Sequence, residues 1–312
     1  MSIINHILDT LNIINTIENI SPSTLPKYIN NNTKYKDNGS NRYNVNKICQ
    51  RWNEYVDLYD NNHNNKFHKK GENIFRIVTF NVRFGQDRCN NEYNYKKILE
   101  FVEKVSPDII CLQETPTKEF FLVNGHEIKP FFKKESEQYF SKMMKKMGYN
   151  YDYCLTGESL ANSIFYKKMN EKIKFNKWEL NKNSRCMTGI SINNINIITL
   201  HLEIDSNTRL KNAENFVNQL KNTNIDIKNT IIMGDFNSKL DSDILNKFTD
   251  LGLKSAIKHK LSTTSLFNTI VDHVLIHSNM EEYIDDCDIY LFKHSDHFPI
   301  IMDLKLPIIY TK

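Results

Sequence analysis

Thr230-Ile231-Ile232-Met233-Gly234-Asp235-Phe236-Asn237 is the stretch whose reading decides the fold. An apolar run of strand length stops at a glycine, and a carboxylate and an amide follow two positions apart, so in an extended chain they face the same way. Taken alone, Gly-Asp at a strand end would mark an Asx turn. Outward from this stretch, however, the same construction recurs. Thr79-Phe80-Asn81 ends the run 75–80, Leu112-Gln113-Glu114 ends the run 109–112, and His201-Leu202-Glu203 follows the run 195–200. Ser295-Asp296-His297 stands just before a last apolar run, 300–304. Polar groups set repeatedly at the ends of buried strands point into one crevice at one edge of a layered fold.

The residue types define a chemistry. Asp235 can take a proton from a water that the neighbouring Asn237 amide orients for in-line attack on phosphorus. Glu114 follows an apolar strand and offers a hard oxygen ligand. Mg²⁺ uses few protein carboxylates and keeps several waters, so Glu114 with help from Asn81 or Asp296 meets its demand, with Mn²⁺ as a substitute. His297 needs an acid to hold its charged form against a phosphoryl oxygen, and Asp272, which interrupts the apolar stretch 270–275, is the partner expected for it. His201 closes another strand and supplies a second donor. Arg185 precedes the strand 187–192, whose hairpin partner 195–200 delivers His201. It is therefore expected beside His201, where a planar guanidinium can grip a phosphate. His273, His277 and His294 are read as structural.

Length and composition set the frame. The chain has 312 residues, 40% hydrophobic and 25% charged, enough for one large domain with an extension. A net charge of +4 permits a phosphate-bearing partner without demanding one. Its 6 cysteines show no CxxC spacing, which points to buried thiols rather than disulfides or zinc ligands. No phosphate loop of GxxxxGK[ST] form and no Gly-x-Ser-x-Gly are present, which excludes nucleotide-driven motors and serine hydrolases of those types. With no charged leader and no apolar stretch near the ~20 residues of a membrane span, an intracellular protein of cytoplasm or nucleus is expected, and a monomer.

Residues 1–72 read as an accessory extension. Ile4, Ile7, Leu8, Leu11, Ile14 and Ile17 have helical spacing, as do Val45, Ile48, Trp52, Val56 and Tyr59, with Asn-rich connections between and after. Two readings stand: helices packed on the main domain, or an arm that binds a protein partner or localises the chain. Residues 73–312 form the catalytic unit. Helices are expected at 95–105, 135–147 and 210–220, and strands at 163–166, 187–192, 195–200, 230–233, 271–277 and 300–304 besides the first two. This order argues for two sheets, or one large sheet, flanked by helices. The lysines and aromatics of 131–146 are either a phosphate track with stacking groups or a solvated helix face.

From about residue 73 to 306 the chain resembles the endonuclease/exonuclease/phosphatase superfamily, the deoxyribonuclease I-like fold, because five motifs match in order. Thr79-Phe80-Asn81-Val82 resembles the first strand with its metal-site Asn, Leu112-Gln113-Glu114 the metal-binding Glu motif, and Gly234-Asp235-Phe236-Asn237 the Gly-Asp-x-Asn signature. Ser295-Asp296-His297 resembles the closing Ser-Asp-His, and Asp272 falls where relatives place the acid paired with that His. The resemblance implies a four-layered α/β sandwich of two facing mixed β-sheets flanked by helices, with its site at one rim. It also implies a Mg²⁺-dependent phosphodiesterase or nuclease acting on nucleic acid. The competing readings are a phosphatase or phospholipase-type hydrolase on inositol phosphate or sphingolipid, and a catalytically dead binding module. His201-Leu202-Glu203, residues 156–168 and Ser184-Arg185 look like the 5′-tyrosyl-DNA phosphodiesterase branch and DNA-end processing. That branch usually has Asp-Gly where this chain has Val82-Arg83, and Thr where it has Phe236. The Ser-Asp-His-aromatic-Pro ending at 295–299 is shared with sphingomyelinases. The inositol-polyphosphate 5-phosphatase signature is replaced by Asn268-Thr269-Ile270-Val271-Asp272-His273.

Overall fold

The computed structural model describes Phe67 and residues 69–306, apart from 87–94, 118–119, 124–125, 129, 133–139, 158, 170–173, 180–184, 193, 258–262, 265–269 and 293. The expected helices within 1–66, Lys133, Lys134 and Tyr139 lie outside the described residues.

Strands β1 (Phe75–Asn81), β2 (Ile109–Pro116), β5 (Tyr149–Thr156), β6 (Leu160–Lys167), β13 (Ile284–Ile289) and β14 (Ile300–Leu304) form one six-stranded sheet, ordered β13-β14-β1-β2-β6-β5. Strands β7 (Lys174–Glu179), β8 (Cys186–Ile192), β9 (Ile195–His201), β10 (Thr230–Asp235), β11 (Leu253–Ser255) and β12 (Asp272–His277) form the other, ordered β11-β12-β10-β9-β8-β7. A small hairpin, β3 (Phe120–Val123) with β4 (His126–Ile128), stands apart. Four helices are described: α1 (Tyr95–Val105), α2 (Phe140–Lys146), α3 (Ser206–Lys221) and α4 (Asp243–Thr249).

Each sheet has a parallel pair at its centre, β1 with β2 and β9 with β10, flanked by antiparallel neighbours. Parallel pairing sends the C-terminal ends of four central strands to the same rim, and the antiparallel β12 and β14 begin there. That arrangement is why polar residues far apart in sequence meet.

Strand alternation builds the layers. On β10, Ile231 and Met233 share a buried cluster with Ile77 and Ile109 of the facing sheet. Ile232, and Phe236 just beyond the strand, pack instead with Phe216 of α3 and Phe248 of α4. The face carrying residues 231 and 233 continues to 235, so the carboxylate emerges between the sheets. On the outer side of the first sheet, α1 buries Ile98, Phe101, Val102 and Val105 at helical spacing. Phe101 lies 6.0 Å edge-on to Phe80. The fold is thus the expected sandwich of two facing mixed sheets with helices on the outside.

Two expectations shift. The helix sought at 135–147 is described from Phe140 to Lys146. The boundary at residue 72 also moves, because Phe67 is 1% exposed and its carbonyl accepts from Arg76 Nη1 at 2.7 Å. Arg76 is itself buried, donating to Val105 O and paired with Asp303 through Nε and Nη2 at 2.7 and 2.8 Å. A buried guanidinium needs every one of these acceptors, so the core begins no later than Phe67.

Candidate active site

Gly234 makes the approach of β10 to β9 possible. Its φ is +141°, and a Cβ there would lie 2.0 Å from Leu200 O. No side chain fits that space, which explains the glycine ahead of Asp235. Asp235 is 1% exposed. The Asn237 amide N–H donates to Asp235 Oδ1 at 2.8 Å, and Asn237 Nδ2 donates to Leu202 O at 2.9 Å. Asp235 Oδ2 is turned to the crevice, where it accepts from Asn81 Nδ2 at 3.0 Å and lies 3.4 Å from His201 Nε2 and 3.8 Å from His297 Nε2.

Glu114 reaches the same crevice through a backbone irregularity. The β2–β6 register slips between Leu112 and Thr115, and Glu114 has φ +56°. A bulge of this kind lets two consecutive residues turn toward one side. Gln113 donates to Thr79 Oγ1 at 3.1 Å and Thr199 Oγ1 at 2.8 Å, tying the two sheets together beneath the site. Glu114 Oε1 meanwhile accepts from Asn81 Nδ2 at 3.1 Å and lies 3.9 Å from His201 Nε2. Burial first, and the neighbouring Asp296 carboxylate second, push the Glu114 pKa up.

Asn81 bridges the two acids with its amide nitrogen, while its Oδ1 accepts from Arg83 N at 3.0 Å. That second bond sets which end faces which way. In this arrangement Asn81 orients Glu114 and Asp235, and serving as a ligand would require its oxygen to rotate in. The turn that supplies the Arg83 N–H is strained, with Arg83 at φ +45° and Phe84 at φ +59°. Arg83 Nε lies 3.6 Å from Asp296 Oδ2.

The two imidazoles are held differently. His297 Nδ1 lies 2.8 Å from Asp272 Oδ2. Burial acts to strip its proton, but the charges of Asp272 and then Asp235, with the hydrogen bond to Asp272, outweigh it and hold the His297 pKa well above the usual value. His201 is 2% exposed, and its Nδ1 lies 3.0 Å from Arg185 Nη1. A guanidinium only donates, so Nδ1 must accept and the ring proton sits on Nε2, facing the crevice. Burial, then Arg185, then His297 push the His201 pKa well down. The pair is one cation and one neutral donor. Asp235, buried and beside Asp272, has its pKa pushed up to about 7.

The structure brings together Asn81, Glu114, Asp235, Asn237, Asp272, His201, Asp296 and His297, and places Arg185 behind His201. The Arg185 fork is turned from the role expected for it, with Nε 3.0 Å from Glu203 Oε1 and Nη1 on His201. It braces the imidazole and leaves no free fork for a phosphate. His273 bonds Ser238 O at 2.7 Å, and His277 accepts from Asn279 N to cap a turn.

Three supports went unread in the sequence. Thr263 Oγ1 accepts from the N–H groups of Val271 and Asp272 at 3.0 and 3.1 Å, and its carbonyl accepts from Phe298 N. Ser295 Oγ donates to Asn81 O at 2.9 Å and accepts from His297 N at 3.3 Å. Gln113 is the third. Ser295 stood in a visible motif without an assigned contact, whereas Thr263 lies outside every apolar run and gave no signal.

The family model described as the Endonuclease/Exonuclease/phosphatase family matches residues 78–297. The chain belongs to that family. Its members are metal-dependent phosphoric-ester hydrolases, and this chain is such an enzyme. Solved structures agree on the fold. An AP endonuclease from Archaeoglobus fulgidus is similar at 18% identity over 74% of this chain and 100% of that one, with a TM-score of 0.54. The human Nocturnin catalytic domain is similar at 15% identity over 74% and 92%, TM-score 0.54. ANGEL2, a 2′,3′-cyclic phosphatase, is similar at 13% identity over 75% and 96%, TM-score 0.55. No curated protein matches by sequence. Among the described residues, no helix is long and apolar enough to cross a membrane.

The donor set fits a divalent cation. The Asp296 charge disfavours the charged form of Glu114, and a cation would relieve that repulsion. Asp235, Asp272 and His297 also cluster, with ligand atoms within 4.8 Å of one another. That trio is better read as a proton-bridged set, because the His297 ring nitrogen is already committed to Asp272.

Proposed function

We propose that the enzyme is a Mg²⁺-dependent phosphodiesterase acting on nucleic acid. The observation that carries this reading is the pair of imidazoles, one held by Asp272 at 2.8 Å and the other by Arg185 at 3.0 Å, facing Oδ2 of Asp235, a buried carboxylate whose pKa is pushed up to about 7. A base of that strength takes a proton from water near neutral pH, and the two ring N–H groups face the place where negative charge grows.

Asp235 Oδ2 accepts the proton of the attacking water. Asn237 holds the other carboxylate oxygen so that Oδ2 stays turned to the crevice. His201 Nε2–H and His297 Nε2–H donate to the phosphoryl oxygens as the transition state forms, with His297 also countering charge. Asp272 keeps His297 protonated, and Arg185 keeps His201 in its Nε2–H form. Glu114 and Asp296, joined by the Asn81 amide oxygen once it rotates in, would hold Mg²⁺ or Mn²⁺. Bound there, the cation would neutralise non-bridging oxygens and stabilise the leaving oxygen.

The choice of nucleic acid over a small phosphate draws support from the AP endonuclease likeness. DNA-end processing draws on the resemblance of Arg185 and His201-Leu202-Glu203 to the tyrosyl-DNA branch. A phosphatase is the second reading, favoured by the likeness to a 2′,3′-cyclic phosphatase. Residues 1–66 we assign an accessory role, and the enzyme acts as a monomer.

A panel of abasic duplex, 5′-tyrosyl oligonucleotide, single-stranded RNA, inositol phosphates and sphingomyelin tests the reading. Hydrolysis of a nucleic-acid diester, stopped by EDTA and restored by Mg²⁺ or Mn²⁺, is expected. Full activity in chelator, or turnover confined to inositol phosphates or sphingomyelin, would overturn it.

A further inference from the structure

The two open edges of the sandwich carry opposite charge. On one side lie the edge strands β11 and β13 with the turn between β12 and β13, where Glu281, Glu282, Asp285, Asp286 and Asp288 collect. Lys254 and Lys305 there are paired with Glu281 and Asp285. On the other side, β5 and β7 lie at the matching edges of the two sheets, with α2 packed on the outer face of β5. Lys145, Lys146, Lys168, Lys174 and Lys177 are all exposed on this side. The described acids among them are Asp152, which pairs with Lys177 at 2.9 Å, and Glu179.

The basic edge is built rather than scattered. Tyr149, Tyr151 and Tyr153 occupy alternate positions of β5 and so share one face. Lys145 Nζ sits 5.4 Å from the Tyr151 ring centre, and Lys177 Nζ 5.7 Å from that of Tyr153. Phe132 stacks on Tyr153 at 4.6 Å and lies 6.1 Å from Phe165, which anchors the ladder to the core. Ammonium groups resting on aromatic faces lose some of their mobility before any ligand arrives. Because Lys145 and Lys177 cover the Tyr151 and Tyr153 rings, these positions offer positive charge rather than open stacking faces.

The edge leads to the site. Glu179 pairs with Cys186, next to Arg185, and Thr156 pairs with Leu160, which in turn pairs with Pro116, two residues past Glu114. From there to the far end of β5 is about 25 Å at the usual strand rise, or roughly eight phosphates of a duplex strand.

We infer that the β5–β7 edge with α2 is a docking surface for the phosphate backbone of nucleic acid leaving the catalytic rim. The inference rests on the nucleic-acid reading of the site, and charge complementarity selects the occupant: a polyanion meets lysines on this edge and carboxylates on the other. The surface binds backbone without regard to base, so it sets affinity and the direction in which a long substrate lies.

The test is a triple reversal, Lys145→Glu, Lys168→Glu and Lys174→Glu, in the full chain, beside a charge-matched control, Lys96→Glu, Lys211→Glu and Lys221→Glu, on α1 and α3. Anisotropy of a fluorescein-labelled 20-nucleotide strand reads binding with or without turnover. Circular dichroism checks folding, and a small diester, bis(p-nitrophenyl) phosphate, reads the chemistry separately. The edge variant should bind the strand at least tenfold more weakly than wild type at low salt, with a log–log salt slope shallower by about two to three. Its turnover of the small diester should be unchanged, and the control should bind within threefold of wild type. Equal binding by the edge variant and wild type, or equal loss in the control, overturns the inference. Loss of anionic-vesicle binding in place of strand binding reassigns the edge to a membrane and overturns it too. A wild type that binds the strand through this edge but cleaves only small phosphates leaves the docking surface standing and removes the proposed reaction.

Discussion

The two flanks of the crevice hold chemically identical rings by opposite means. On the closing-loop flank, His297 faces carboxylates: Asp272 at 2.8 Å, with Asp235 beyond. On the β8–β9 flank, His201 faces a guanidinium at 3.0 Å, itself braced by Glu203. One environment retains the proton and the other expels it. Protonation state here is a property of the neighbours, and one site can present a cation and a neutral donor at the same pH.

The largest expected effect comes from the acidic flank. Asp235→Asn and His297→Ala should each lower kcat by about two to three and a half powers of ten, or ~3–5 kcal/mol, with circular dichroism unchanged. His201→Ala should cost less, about tenfold to a hundredfold, because it removes a neutral donor. Equal losses at the two histidines would erase the asymmetry.

Asp272→Asn keeps the shape and removes the charge that most supports the His297 proton. A loss of about tenfold to a hundredfold is expected, and the high-pH limb of the rate profile should move to lower pH. A profile unmoved in either limb would separate Asp272 from the protonation of His297.

Arg185→Ala should lower turnover by about tenfold, Arg185→Lys by less, since one donor survives without the fork. Nitrogen chemical shifts of His201 should show the ring proton on Nε2 in the wild type and a mixture of tautomers in Arg185→Ala. A single unchanged tautomer would leave Arg185 with no part in positioning the ring.

The smallest effect is read without substrate. The folded pKa of Asp235, about 7, lies above its ordinary value of 3.8. The metal-free protein therefore loses stability from this group as pH rises between those values. A cation binds the deprotonated acids and so should raise Tm more at pH 8 than at pH 5.5, by a few degrees. Glu114→Gln should shrink that increment, and the same increment at both pH values would place the cation away from these acids.

Legibility in the sequence followed position in the sheets. All eight interior strands announce themselves as apolar runs, from 75–80 through 300–304. The four edge strands β5, β7, β11 and β13 do not. Tyr149–Thr156 alternates aromatic and polar residues, Ile284–Ile289 holds three aspartates, and Leu253–Ser255 spans three residues. An edge carries charge to prevent unwanted pairing, which removes the pattern that would reveal it. The site was readable for the related reason that its side chains terminate interior strands. The bulge at Glu114, the Thr263 clamp and the turning of the Arg185 fork toward Glu203 depend on tertiary neighbours that no local pattern encodes.

One sheet is written continuously in the chain and the other is not. Strands β7 to β12 occupy residues 174–277 without interruption, whereas β1 must wait for β14, and Asn81 for Ser295. During synthesis, the second sheet can assemble on its own strands while the first stays open along β1. His297 and the loop that seats it emerge from the ribosome after every other member of the site. A nascent chain that carries Glu114, Asp235 and His201 but not yet His297 therefore lacks a complete site, and activity begins only after the loop 295–299 has emerged.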